Sequence, residues 1–215
     1  MTTTDMILST IIGMLSSYLV WYLIYKLLVP RIRFSDKISK MESIDSKSKY
    51  KYRIKLENSG YRDIIDINIS AKFSIIGLNG KSYQNRNIVY LETSFDGYIP
   101  ILRSLKTLNY FLKKVEKNNS DNIHKTLRNL IRVYPNKKKE FSREYYPDYI
   151  KNKVKKEELT MEDIFNIGSD AFLEIIFSGT DSFSNSKKIY VKKYTLKDII
   201  NKPFKTGSLS INNEN

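Results

Sequence analysis

The sequence predicts a mainly β protein, an N-terminal transmembrane helix followed by an immunoglobulin-like antiparallel β-sandwich with a basic, partly helical insertion. Three observations carry this. Met6 to Tyr25 is an uncharged run of 20 residues. Segments of apolar and polar alternation follow it, separated by Asn, Gly and Ser turns. Of a net charge of +14, residues 103–156 alone hold sixteen Lys/Arg against five Asp/Glu. The chain divides accordingly into a short tail and membrane helix (1–29), a basic juxtamembrane linker with the first strand (30–48), the sandwich (49–206) with its insertion at 103–156, and a disordered tail (207–215).

A bilayer core of roughly 30 Å needs about 20 helical residues. The uncharged run meets that length, resumes after Lys26 and stops at Pro30. A cleaved signal peptide would need a basic start, a shorter apolar core and a small-residue cleavage site. The start here, Met1 to Asp5, is acidic, so the expectation is an uncleaved anchor. No Lys or Arg precedes the span, while Lys26, Arg31, Arg33, Lys37 and Lys40 stand at its end or just beyond. This asymmetry predicts a single-pass protein of the cell membrane, with the N-terminus outside and the body cytoplasmic. Tyr18, Trp21, Tyr22 and Tyr25 suit the inner interface. Ser9, Gly13 and Ser17 recur every four residues and offer a face for helix association. Small residues in a lone anchor read equally well.

In residues 49–57, Tyr50, Tyr52, Ile54 and Leu56 share one face, and Lys49, Lys51, Arg53, Lys55 and Glu57 the other. That is a half-buried strand. After the turn Asn58-Ser59-Gly60, a second alternation places Ile65, Ile67, Ile69, Ala71, Phe73 and Ile75 together. Asn79-Gly80 predicts a reversal, and Ile88 to Glu92 a weaker strand. Phe172 to Ser178 and Lys188 to Tyr194 read as a hairpin with a long loop. Thr160-x-x-Asp163 and Thr195-x-x-Asp198 supply capping chemistry for two short helices.

Within the basic stretch, Leu105, Leu108, Phe111, Leu112 and Val115 follow helical spacing, with Lys106, Lys113 and Lys114 elsewhere around the helix. Ile123 to Tyr134 fits a second helix, and its end, Leu130 to Tyr134, reads almost as well as a strand. Such a cationic surface is a solvated face, a contact for anionic lipid headgroups, or a nucleic-acid site. An anchored chain favours lipid over nucleic acid, because each Lys or Arg near an anionic leaflet gains about 1 kcal/mol. Lys137-Lys138-Lys139 near Tyr145-Tyr146 is compatible with phosphate contact and base stacking, but no recognition motif accompanies it.

Catalytic patterns are scarce. With no cysteine there is no thiolate nucleophile or disulfide, and His124 is the one imidazole. No phosphate loop, zinc-protease or calcium-loop pattern occurs, so no metal and no cofactor is expected. Asp63 and Asp66, three apart in a strand, point to opposite faces, and Thr180-Asp181-Ser182 suits a loop better than a catalytic group.

The order of features resembles a known family. A membrane helix leads into Val29-Pro30-Arg31-Ile32-Arg33-Phe34-Ser35 and then Tyr52-Arg53-Ile54-Lys55-Leu56-Glu57-Asn58-Ser59-Gly60. This resembles the junction between the inner helix and the cytoplasmic domain of inward-rectifier potassium channels. Ile69 to Phe73, Phe172 to Gly179 and Tyr194 to Phe204 resemble later strands and the terminal short helix of that domain. The resemblance runs from about Pro30 to Phe204, interrupted at 103–156. It implies a β-sandwich that assembles as a tetramer and couples anionic lipid to gating, with Arg31 and Arg33 at the headgroup-holding positions. The pore helix and filter are missing, so selectivity of that kind is not implied.

The expected function is therefore a non-enzymatic, membrane-anchored binding or sensing module. Its lipid contacts would be Arg31, Arg33, Lys37, Lys106, Lys113 and Lys114, with anionic lipid or a protein as partner. Two alternatives stay open. One is an oligomeric pore-like subunit, suggested by Ser9, Gly13 and Ser17 and opposed by the absence of intramembrane charge. The other is a membrane-tethered nucleic-acid binder.

Overall fold

The structure, a computed structural model, describes residues 3–28, 30–43, 49–78, 86–95, 101, 102, 104, 129–135, 141–205 and 208–212. Helix α1 (Thr3–Leu28) has 26 residues. Its stretch Thr3–Tyr25 is long and apolar enough to cross a membrane, and none of it is buried by the rest of the chain. An uncovered helix that is apolar all round calls for a bilayer or a partner to surround it. Three of its hydroxyls are satisfied locally: Ser9 and Thr10 donate to the Met6 carbonyl (2.9 and 2.8 Å) and Ser16 to that of Gly13 (3.0 Å). In a helix that meets lipid each such bond removes a stray donor.

Among the described residues the body is a curled sheet of ten strands. In chain order they are β1 (Ile32–Phe34), β2 (Ile38–Glu42), β3 (Tyr50–Asn58), β4 (Ile64–Ile76), β5 (Arg86–Phe95), β6 (Ile101–Leu102), β7 (Asn129–Tyr134), β8 (Asp170–Asp181), β9 (Lys187–Tyr194) and β10 (Ile199–Ile200). The main path runs β10-β2-β3-β7-β5-β4-β8-β9, with β1 added to β3 and β6 to β4. The curl comes from β5. Its first part pairs with β4, from Arg86 to Leu91, and its second part with β7, from Glu92 to Phe95. The two parts of the sheet share one core that includes Tyr52, Ile54 and Leu56 from β3, Ile131 and Val133 from β7, and Leu173, Ile175 and Phe177 from β8.

The alternation read in β3 holds for Tyr52, Ile54 and Leu56, all at most 1% exposed. Its other face differs from expectation: Lys55 and Glu57 are also buried, at 7% and 6%. The end of the chain covers Lys55, whose ammonium donates to the carbonyls of Lys205 (2.7 Å) and Ser208 (2.9 Å) and lies 5.2 Å from the Phe204 ring. Phe204 bridges Ile211, so residues 208–212 fold back against the body where the sequence suggests a polar tail.

In β4 a bulge breaks the simple period. Ile65 faces Thr180 and Asn68 faces Ser178, so β4 carries one extra residue there, and Asp66 takes a φ of 50°. The shift exchanges faces. Ile64 is therefore fully buried before the bulge, Ile65 is only half-buried, and Ala71, Phe73 and Ile75 are buried after it.

β7 settles the ambiguous end of the basic stretch as strand, lying between β3 and β5. Ile131 and Val133, each 1% exposed, belong to the core and not to an appendage. Downstream, α2 (Asp148–Lys155) buries Ile150 and Val154, and α3 (Met161–Phe165) buries Met161, Ile164 and Phe165. The Thr160–Asp163 capping box forms as read, with Asp163 N–H donating to the Thr160 hydroxyl and Thr160 N–H to the Asp163 carboxylate. At the 3₁₀ turn Leu196–Asp198, the Thr195 N–H and hydroxyl donate to the Asp198 carboxylate (2.9 and 3.0 Å), and Asp198 N–H donates to the Thr195 carbonyl (3.0 Å). The helix expected over 105–115 and the Asn79-Gly80 turn lie outside the described residues.

The body thus has two ends. At the helical end, the start of β3 meets α3: the Tyr52 hydroxyl donates to Glu162 (2.6 Å) and accepts from Met161 N–H (3.0 Å). At the other, the end of β3, the β8–β9 turn and the segment leaving α1 converge.

Candidate functional site

The second end is where the chain that follows α1 is fastened. Pro30 is buried, and its carbonyl accepts a hydrogen bond from the Tyr190 hydroxyl (2.5 Å). Two residues along β9, Lys192 pairs with Asp36 (2.8 Å), and two further on the Tyr194 hydroxyl donates to the Ser35 carbonyl (2.7 Å). Residues 190, 192 and 194 share a face of β9 by the strand period, so one strand fixes the linker at both ends. Burial, opposed by the bond to Ser35, pushes the Tyr194 hydroxyl well above its ordinary range, and Lys192 holds the Asp36 carboxyl below its own.

Asn58 is the second fastening. It is fully buried, and its side chain makes four hydrogen bonds. Its amide donates to the carbonyls of Arg62 (2.6 Å) and Leu102 (3.2 Å), and its oxygen accepts from the N–H groups of Gly60 (3.0 Å) and Arg31 (3.3 Å). Ser59 adds two bonds to the Arg31 carbonyl, from its N–H (2.7 Å) and its hydroxyl (3.1 Å). One asparagine thereby ties together the linker, the turn after β3 and strand β6.

This fastening turns the arginines outward. β1 pairs antiparallel with β3, setting Arg33 opposite Glu57. Ile32 and Phe34 pack against the core, while Arg31 and Arg33 are exposed. Arg33, with two-thirds of its side chain exposed, reaches Glu57 at 3.7 Å. Lys37 differs: its ammonium is committed to Asp198 (2.7 Å) and the Lys197 carbonyl (3.2 Å). Burial alone would raise the Asp198 carboxyl, but Lys37 and the Thr195 N–H and hydroxyl outweigh it and hold it low.

The turn between β8 and β9 completes this end. Asp181, 2% exposed, pairs with Arg62 (3.2 Å) and accepts from Ser184 Oγ (2.7 Å) and Phe183 N–H (3.1 Å). These partners overcome its burial and keep its carboxyl below the ordinary range. The Arg62 guanidinium also lies 4.2 Å from the Phe183 ring centre. Asp63 accepts from Ser104 N–H (2.7 Å), which ties the turn before β4 to the chain after β6, and Asp66 sits exposed in the bulge, on the solvent side.

Of the residues singled out in the sequence, the structure brings Arg31 and Arg33 to this end, while Lys37 lies farther along, paired to the 3₁₀ turn that feeds β10. Ser9, Gly13 and Ser17 lie along α1, with nothing within 4 Å of a Cβ placed at Gly13. Lys106, Lys113, Lys114, His124 and Lys137 to Lys139 lie outside the described residues. Tyr146, considered for base stacking, is instead 2% exposed and packs on Tyr145 (4.7 Å) and Phe141 (5.4 Å). An aromatic beside basic residues had two uses, and the core took this one. Tyr190, Tyr194 and the hub role of Asn58 escaped the sequence reading. The aromatic recurrence at 190 and 194 in one strand was the available signal.

Among the described residues no group of three or more His, Cys, Asp or Glu is placed to hold a metal ion. An open depression at the helical end, lined by Lys40, Tyr50 and Asn201, has its lysine already paired with Glu162 (2.5 Å). No protein-family model matches the chain, and no curated protein matches it in sequence.

Proposed function

We propose that this chain is a single-pass membrane protein whose β body, on the cytoplasmic side, binds anionic lipid headgroups at its linker end and acts as a binding or sensing module, not as an enzyme. The observation that carries this is the fastening of residues 30–36 by Asn58, Tyr190 and Tyr194, which presents Arg31 and Arg33 outward within a few residues of the end of α1. A flexible tether would spread those charges through solvent, whereas a fastened one presents them at fixed height. At about 1 kcal/mol for each cation near an anionic leaflet, the pair supplies about 2 kcal/mol, roughly 30-fold in partitioning.

The rigid linker also gives the binding a route inward. Lys37, directly after the fastened stretch, is ion-paired to the 3₁₀ turn that feeds β10, and β10 pairs with β2. A shift of the linker on lipid binding therefore reaches the C-terminal segment. The curl of the sheet, with two parts facing one core, supports the sandwich reading.

Amide hydrogen exchange on the full chain in vesicles tests this. Residues 31–33 and 59–63 are expected to gain protection when phosphatidylserine is added to phosphatidylcholine, and a double Arg31→Gln/Arg33→Gln variant to lose that gain. Equal protection in both vesicles would contradict the reading.

A further inference from the structure

The same end of the body carries large apolar side chains in the open. Phe183, at the tip of the β8–β9 turn, is 78% exposed, and Tyr61 and Ile101 are 42% each. They lie at one end of the sheet: Ile64 pairs with both Leu102 and Asp181, Ile101 precedes the first, and Phe183 lies two residues after the second. Tyr61 sits between Gly60 and Arg62, both bonded to Asn58. Single exposed apolar residues are ordinary. Three on one rim, beside the exit of an apolar helix, are a surface.

The turn that holds Phe183 is rigid. Asp181 accepts at its carboxylate from Phe183 N–H and Ser184 Oγ, accepts at its carbonyl from Asn185 N–H (2.9 Å), and donates from its own N–H to the Ser186 carbonyl (3.0 Å). The Arg62 guanidinium, 4.2 Å from the ring centre, supports it from the side. A rigid turn that holds a phenylalanine in water gains nothing from that exposure, since full burial of such a side chain is worth about 1.5–3 kcal/mol.

Chain length identifies the cover. α1 ends at Leu28 and Pro30 is fixed at this rim, so the two residue steps from one to the other allow at most about 7 Å of separation. With α1 across a bilayer, the rim cannot stand clear of the interface. We propose that Phe183, with Tyr61 and Ile101 beside it, enters the boundary between headgroups and acyl chains, and that this apolar contact sets the tilt of the β body on the membrane. Arg31 and Lys187 are exposed at the same end of the body and suit the headgroup level. The proposal rests on α1 as a span but not on selectivity for anionic lipid.

The test uses tryptophan emission from the full chain in vesicles whose lipids are brominated near the headgroup or near the acyl terminus. Trp21, the single tryptophan, reports α1 in the unaltered protein. The W21F/F183W variant reports the turn, and W21F/V191W, on the outer face of β9, serves as the control. F183W is expected to shift to the blue and to lose emission to shallow bromines more than to deep ones, while V191W does neither. This result in phosphatidylcholine alone would support insertion even if added phosphatidylserine changed nothing, so it is separable from the lipid-charge reading. A quenched Trp21 with an unquenched F183W overturns the proposal, and a blue shift without quenching would assign the cover to a protein or a second copy. An unquenched Trp21 overturns both the span and the insertion.

Discussion

Asn58 shows how much one side chain holds in place. Replacing it by alanine leaves the Arg31 and Gly60 N–H groups and the Arg62 and Leu102 carbonyls without their partner inside a closed site. At about 1–3 kcal/mol for an unsatisfied buried group, partly recovered by water, Asn58→Ala is expected to lower stability by about 2–3 kcal/mol in a denaturant titration. The sequence shows Asn58 as a turn residue, and it is one. Its role as a hub is not legible because two of its partners, Arg31 and Leu102, are far away in the chain. The carboxylates carry a pH signature. Asp163, Glu174, Asp181 and Asp198 all have acidities strengthened by their partners in the fold. Depressed carboxyls contribute stability above their unfolded pKa of about 4 and lose it as pH falls through the lower folded value. Unfolding midpoints are thus expected to be flat near neutrality and to fall below about pH 4, less steeply in Asp181→Asn than in the unaltered chain. A midpoint that rose on acidification would contradict the pairing.

At the scale of elements, the strands were legible where an apolar face alternates with a charged one, as in β3. They were less legible where tertiary contacts override the pattern. The bulge at Asp66 moves Ile64 into the core and Ile65 toward the surface, a change of phase that no periodicity announces. Lys55, on what reads as a solvent face, is buried because the chain returns over it 150 residues later. Truncation after Phe204 removes both carbonyls that hold this ammonium. Hydrogen bonds to charged groups contribute about 1.5–3 kcal/mol, so truncation is expected to cost about 2–3 kcal/mol, with Lys55→Met restoring part of it in the truncated chain. Tight packing gives a second element-level prediction. A Cβ at Gly168 would meet the backbone carbonyl of Ile76 and the Ile75 side chain. Backbone cannot yield as a side-chain tip does, so Gly168→Ala is expected to cost about 1–3 kcal/mol by thermal unfolding.

For the whole molecule, the sequence shows an apolar helix, a β-rich body and an excess of cations after the helix. It does not show the arrangement with two ends, which depends on pairings between distant strands, above all β7 inserted between β3 and β5. That arrangement unites the end of α1, the outward arginines and the exposed Phe183 rim on one side. Chemical cross-linking of the full chain in membranes addresses the Ser9, Gly13 and Ser17 face separately: a ladder of species is expected from helix association, and monomer alone would exclude it. The central claim, that the linker end binds anionic lipid, is tested most directly by vesicle flotation of residues 30–215, since α1 is not buried against the body and its removal leaves the packing intact. With two arginines contributing about 1 kcal/mol each, recovery on vesicles containing phosphatidylserine should exceed that on phosphatidylcholine alone by about 30-fold and fall toward equality in Arg31→Gln/Arg33→Gln. Equal recovery of the unaltered body on both vesicles would contradict the account.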